Sequence, residues 1–142
     1  MKFVPLLFFL LLLALTACNN DDDNNTILGQ TTDIAFGNGV EIDETGTLLS
    51  FIGIEESRCP SSVNCVTPGE AKASFALIGS ASILDTIAMV SPGGCFDDDG
   101  SCGETKESQG YRIQLLAIQP YPENLITAGP SEYSVKVIVE RN

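Results

Sequence analysis

From Ile27 onward the apolar residues recur with a period of two. Ala71, Ala73, Phe75 and Leu77 alternate with Lys72 and Ser74. Tyr111, Ile113, Leu115 and Ala117 alternate with Arg112 and Gln114, and Tyr133, Val135, Val137 and Val139 with Ser134, Lys136 and Glu140. Such alternation places one set of side chains on each face of a strand. Residues 47–55 are apolar on both faces, with Leu49 and Phe51 on one and Leu48, Ile52 and Ile54 on the other. That pattern predicts a strand inside a sheet. Residues 82–90 oppose Ile83, Ile87 and Met89 to Leu84, Ala88 and Val90. Ile34-Ala35-Phe36 and Val40-Glu41-Ile42 flank Gly37-Asn38-Gly39, whose residues tolerate positive φ, and predict a hairpin.

Turn residues punctuate these segments. Ser91-Pro92-Gly93-Gly94 ends one, the polar stretch 95–110 reads as a loop, and Pro120-Tyr121-Pro122 stops another in an extended connection. No amphipathic helix pattern interrupts them. Six or seven short strands predict an all-β domain over residues 27–142, an antiparallel β-sandwich, Ig-like or related.

The first 26 residues follow a different pattern. Lys2 precedes an apolar run from Leu6 to Leu15. The run has the length of a signal-peptide core and is too short to span a bilayer. It ends in Leu15-Thr16-Ala17-Cys18, which resembles the bacterial lipobox. Residues 1–17 are thus expected to be a lipoprotein signal peptide. Cys18 becomes the lipidated first residue, carrying fatty acyl chains such as palmitate. Residues 19–25 contain only Asn and Asp, with nothing to bury, so 18–26 reads as a disordered tether. An acidic stretch just after the lipidated cysteine resembles surface-export signals of lipoproteins in the Bacteroidetes-type envelope; a plain spacer is the alternative. Asn19 is not the Asp that marks inner-membrane retention in enterobacteria.

Lipidation at Cys18 also resolves an odd count of five cysteines. Cys59, Cys65, Cys95 and Cys102 remain, and export favours two disulfides. Short separations favour Cys59–Cys65 and Cys95–Cys102, each contributing about 2–3 kcal/mol. The crossed pairings, which would tie the two loops together, stay open. Without its signal peptide the chain has six basic residues against nineteen acidic ones, a net charge of −13. Nucleic acid is therefore excluded as a partner, and the route to the membrane is the lipid on Cys18.

There is no histidine, which removes Ser-His-Asp and Cys-His nucleophiles and the usual imidazole base. The cysteine spacings are wider than the Cys-x-x-Cys knuckles of structural zinc sites. In the 95–102 loop, Asp97 and Asp99, with Glu104 beyond it, offer hard oxygen ligands for calcium. An EF-hand frame on Gly100 fails, because Cys95 and Lys106 fall where Asp and Glu belong. A solvated acidic loop pinned by a disulfide is the simpler reading. Arg58 at the neck of the 59–65 loop could serve as a docking or protease-inhibitor residue. The simpler reading pairs it with Glu55 or Glu56.

The string Glu56-Ser57-Arg58-Cys59-Pro60, then Val63-Asn64-Cys65, then Gly69-Glu70-Ala71 resembles a signature of small uncharacterised bacterial lipoproteins. Similar proteins also carry an aromatic-led strand ending in Pro-Tyr-Pro, here Tyr111 to Pro122, and a final Tyr-x-Val-x-Val strand, here Tyr133 to Val137. Glu56 stands where Asp is usual, and Thr67-Pro68 replaces Trp-Ala. The resemblance implies a β-sandwich-like domain and no activity. The overall expectation is a lipoprotein of the bacterial outer membrane, facing the surface or the periplasm. It is expected to act by binding or assembly, with an envelope protein or a glycan as partner, and to need no cofactor. The loops at 59–69 and 95–109 are expected to make the contacts. Alternatives are a calcium-stabilised adhesion module, a protease-inhibitor-like loop protein and a carboxylate-based hydrolase.

Overall fold

The structure, a computed structural model, describes residues 27–95, 103–126 and 128–142. The expected signal peptide, the tether, Cys18, Asp97, Asp99 and Cys102 lie outside these. Among the described residues eight strands form: β1 (Thr31–Ala35), β2 (Gly39–Glu41), β3 (Leu48–Glu56), β4 (Glu70–Ile78), β5 (Ile83–Pro92), β6 (Thr105–Ser108), β7 (Tyr111–Gln119) and β8 (Ser134–Arg141). They make two four-stranded antiparallel sheets, ordered β1-β8-β7-β6 and β2-β3-β4-β5. The expected β-sandwich is observed. One sheet is a meander and the other adds β1 beside β8 to the run β6-β7-β8, so the Greek-key crossovers of an immunoglobulin domain are not used. Read round the molecule, the strands follow chain order, as in an up-and-down barrel flattened into two layers. Among the described residues two seams, β1/β2 and β5/β6, lack a backbone ladder.

The core lies between the layers. Leu49, Phe51, Ala71, Ala73, Phe75, Leu77 and Met89 come from one sheet, and Ile34, Ile113, Leu115, Ile118, Val135, Val137 and Val139 from the other. Phe51 packs on Phe75 at 5.8 Å between centroids and meets Phe36 edge-on at 5.4 Å, within the range where aromatic pairs attract.

The alternation of β4 and β8 holds throughout. That of β3 and β7 slips once. On β3 the register with β4 passes from Phe51↔Phe75 to Gly53↔Ser74, leaving Ile52 as a bulge. Leu49 and Phe51 face the core before it, while Ile54 and Glu56 sit opposite the buried Ala73 and Ala71 after it. On β7 the slip falls between Leu115 and Ala117, so Ile118 pairs with Val135 and turns inward. Unbroken alternation would have carried Ala117 to the core and Ile118 outside. A bulge inserts one residue and exchanges the faces beyond it.

Two other expectations are corrected. The Gly37 turn does form, with Gly37 at φ +79 and Asn38 N–H bonded to Ala35 O, but it joins the two sheets and does not close a hairpin. β1 pairs with β8 and β2 with β3. The turn is held from outside: Phe36 N–H bonds Tyr133 O, and Gly37 N–H and Asn38 O bond Phe51. The stretch 95–110 contains β6, an edge strand without an apolar residue. Its alternate side chains stitch the β5 seam in place of a ladder. Glu104, just before the strand, accepts from Val90 N–H (2.8 Å), Lys106 Nζ donates to Ala88 O (2.7 Å), and Ser108 donates to Asp85.

The slip on β7 is directly testable. Ile118→Ala should cost about 2–5 kcal/mol, the range for truncating a buried isoleucine. Ile52→Ser, at the exposed bulge, should cost under about 1 kcal/mol. Urea midpoints of equal size for the two variants would contradict the assigned faces.

Candidate functional site

The three strings singled out in the sequence converge at one end of the sandwich. Because the β3 bulge turns Glu56 inward, its carboxylate meets Arg58 beneath the following loop. Arg58 Nε lies 2.9 and 3.0 Å from the two Glu56 oxygens, and Nη2 donates to Glu56 Oε2 as well. The Arg58 backbone N–H caps the same carboxylate at 2.9 Å. Nη1 donates to Ile118 O at 2.9 Å and Nη2 to Pro120 O at 3.0 Å. One guanidinium therefore joins the end of β3 to the end of β7 in the opposite sheet.

Aromatic rings close the cluster. The guanidinium carbon stands 4.7 Å from the centroid of Tyr121, in cation–π range. Tyr121 Oη donates to Cys59 O and accepts from Gly94 N–H, both at 3.0 Å. Tyr133, buried just before β8, lies near Glu56. Burial and then the charge of Glu56 push its phenol above the ordinary value. The Arg58 side chain is 2% exposed and that of Glu56 6%. A docking or protease-inhibitor residue must reach out of its loop. Arg58 points inward, and pairing with Glu56 is what the structure contains.

The loop above is fastened on every side. Cys59 and Cys65 form a disulfide with Cα atoms 5.9 Å apart. Cys59 N–H bonds Pro68 O, and Ser57 N–H bonds Glu70 O. Gly69, at φ +66, passes so close that an added Cβ would lie 1.9 Å from Ser57 O; no side chain fits there. Ser61 N–H and Ser62 N–H bond Pro122 O and Glu123 O at 3.0 and 3.2 Å. This ties the disulfide loop to the 120–126 loop, which follows a cis Gln119–Pro120 bond. Two clefts flank that second loop. One, of about 390 Å³, is lined by Pro120, Tyr121, Pro122, Glu123, Asn124, Ile126, Ala128, Glu132 and Tyr133. The other, of about 310 Å³, includes Cys59, Cys65, Thr67, Pro122 and Leu125.

Cys95 is also disulfide-bonded; its expected partner, Cys102, lies outside the described residues. Glu104, named above as a calcium ligand, accepts from Val90 N–H and lies 3.2 Å from Lys106 Nζ. The other two members of that set, Asp97 and Asp99, fall outside the described residues. Among the described residues no three His, Cys, Asp or Glu side chains are grouped to hold a metal.

A second buried carboxylate, not singled out in the sequence, clamps the opposite end. Asp43, in the β2–β3 turn, is 3% exposed. It accepts from Thr45 N–H (3.0 Å), Thr45 Oγ1 (2.6 Å), Thr47 N–H (3.2 Å), Tyr111 Oη and Arg141 Nη2 (2.9 Å). Tyr111 and Arg141 belong to the other sheet. Burial by itself raises the carboxyl pKa. The hydrogen bonds from Thr45, Tyr111 and Thr47 outweigh it and hold the group well below the usual carboxylate range. The signal was legible in Asp43-Glu44-Thr45-Gly46-Thr47, a turn string in which Asp bonds the backbone two and four residues ahead.

No family model, curated protein or solved structure matches this chain.

Arg58→Ala should destabilise the domain by about 3–5 kcal/mol, because Glu56 is left buried and unpaired. Arg58→Lys should recover only part, since one ammonium cannot fork onto a carboxylate while serving two carbonyls. Full recovery by lysine in chemical denaturation would argue against the geometry. Asp43 predicts a pH dependence. The unfolded chain takes up its proton first as pH falls. Its contribution is therefore complete above about pH 5 and is lost progressively below about pH 4. Asp43→Asn should be less stable at pH 7 yet show a flatter decline in acid. Parallel acid profiles for the two proteins would rule this out.

Proposed function

We propose that this chain is a lipid-anchored protein of the bacterial outer membrane that acts by binding or assembly and not by turnover. The single observation that carries the reading is the fate of its most distinctive residues. Glu56 and Arg58 satisfy one another in the interior against the Tyr121 ring, and what they hold up is a pair of loops with exposed apolar side chains. A general acid, base or nucleophile must reach a substrate. These groups are spent on keeping the loop surface in one shape, which lowers the entropy lost on binding.

The N-terminal string supports the location. A short apolar run ending in Leu15-Thr16-Ala17-Cys18, followed by a polar tether, is the arrangement of a lipid anchor with a spacer. The tether would let the domain stand clear of the bilayer. Its acidity would keep it from lying on anionic lipid.

In the native host, the wild-type chain should be found in the membrane fraction with a mass increased by acyl chains. Cys18→Ala should leave the membrane and lose that increment. Extracted in mild detergent, the wild-type chain should migrate within an assembly larger than its own micelle. Membrane retention of the Cys18→Ala protein with unmodified mass would end the anchor reading. Migration of the wild-type chain as a single copy would end the assembly reading.

A further inference from the structure

Seven large apolar side chains are exposed among the described residues, and four of them crowd onto the two loops over the Arg58 knot: Val63, Val66, Leu125 and Ile126. Val66 is as open as a residue in an extended chain, and Leu125 and Ile126 are 80% and 84% exposed. These are not loose ends. The disulfide, the Ser61 and Ser62 hydrogen bonds to the neighbouring loop, and the Tyr121 contacts hold both loops against a buried ion pair. Exposed apolar side chains grouped on one end of a domain mark a contact surface.

The charge around them is of one sign. Lys72 is paired with Glu55, and Arg58 is buried against Glu56. Glu70, Glu123 and Glu132 remain exposed at this end, with no ion-pair partner among the described residues. The larger cleft is lined by Glu123 and Glu132 and by no basic residue. An apolar centre with a polar rim is the usual anatomy of a protein contact, and a rim of one sign selects its opposite.

We propose that this end of the sandwich docks a partner protein whose contact face is apolar at its centre and carries Lys or Arg at its edge. The apolar centre would seat over Val66, Leu125 and Ile126. The cations would reach Glu123 and Glu132. This rests on the assembly reading above and names the surface and the partner's chemistry. A neutral lipid surface would accept the apolar side chains but would have no use for the carboxylates. A second copy of this chain would meet the rim with like charge.

The test is site-specific photo-crosslinking of the full chain in its native host. A photo-reactive phenylalanine analogue replaces Val66, Leu125 or, as a control, Ile83, which is 63% exposed at the far end of β4 and β5. Expected is a discrete protein adduct from positions 66 and 125 but not 83. The captured peptide should bear Lys or Arg beside apolar residues. With Glu123→Lys and Glu132→Gln combined, the latter keeping the oxygen that accepts from Gly129 N–H, the yield should fall about tenfold or more, while the circular dichroism melt stays unchanged. Adducts only to lipid, adducts to a second copy, no adduct from either loop, or adducts indifferent to that change of charge would each overturn the proposal. The two readings separate on the detergent-extracted assembly. If Leu125→Glu leaves it intact, this surface is wrong and the assembly reading stands. If wild-type chain shows no assembly at all, both fall together.

Discussion

The buried pair of Glu56 and Arg58 is the contact on which the rest of this end of the molecule depends. Two sheets packed face to face are held mainly by apolar burial, which has no direction. The pair adds direction. Its carboxylate belongs to β3, and the guanidinium it holds serves two carbonyls of β7 in the other sheet. A buried ion pair stabilises only when its remaining donors and acceptors are also satisfied. Here the backbone N–H of Arg58, the carbonyls of Ile118 and Pro120 and the Tyr121 ring meet that requirement. Everything above, from the Cys59–Cys65 bridge to the 120–126 loop, takes its position from this base.

Asp43 performs the equivalent task at the other end. Together the two clusters join sheets that, among the described residues, share no backbone ladder. At the β1/β2 seam the connection is a turn bonded to β3 and β8. At the β5/β6 seam, side chains of Glu104, Lys106 and Ser108 reach across the gap. At the two ends, carboxylates facing hydroxyls and guanidinium groups join sheet to sheet. A flattened barrel with open seams can leave its loops free for binding, because the clamping is done elsewhere.

That division bears on function. Residues that look chemically active in the one-dimensional sequence are consumed by the clamps, and the exposed loops carry apolar and acidic side chains instead. The result is a stiff platform whose outward chemistry is simple. Such a surface suits the recognition through shape and charge proposed above.

The sequence by itself determined the strand class and the near-complete strand list and favoured the pairing of Cys59 with Cys65, because alternation and short loop separation are local properties. The residues of the knot were legible as strings, since Glu56 with Arg58, Pro120-Tyr121-Pro122 and Tyr133 each stood out. Tertiary structure alone decided that they meet. The deciding steps were the one-residue slips at Ile52 and next to Leu116, which turned Glu56 and Ile118 inward. A bulge is chosen by the register that both neighbouring strands can share, and no local pattern encodes it. The Gly37 turn shows the same rule, as its residues specify a reversal while β3 and β8 decide which sheets it joins. β6 lay beyond alternation altogether, because a strand of Thr105, Lys106, Glu107 and Ser108 exists only where another edge supplies its partners.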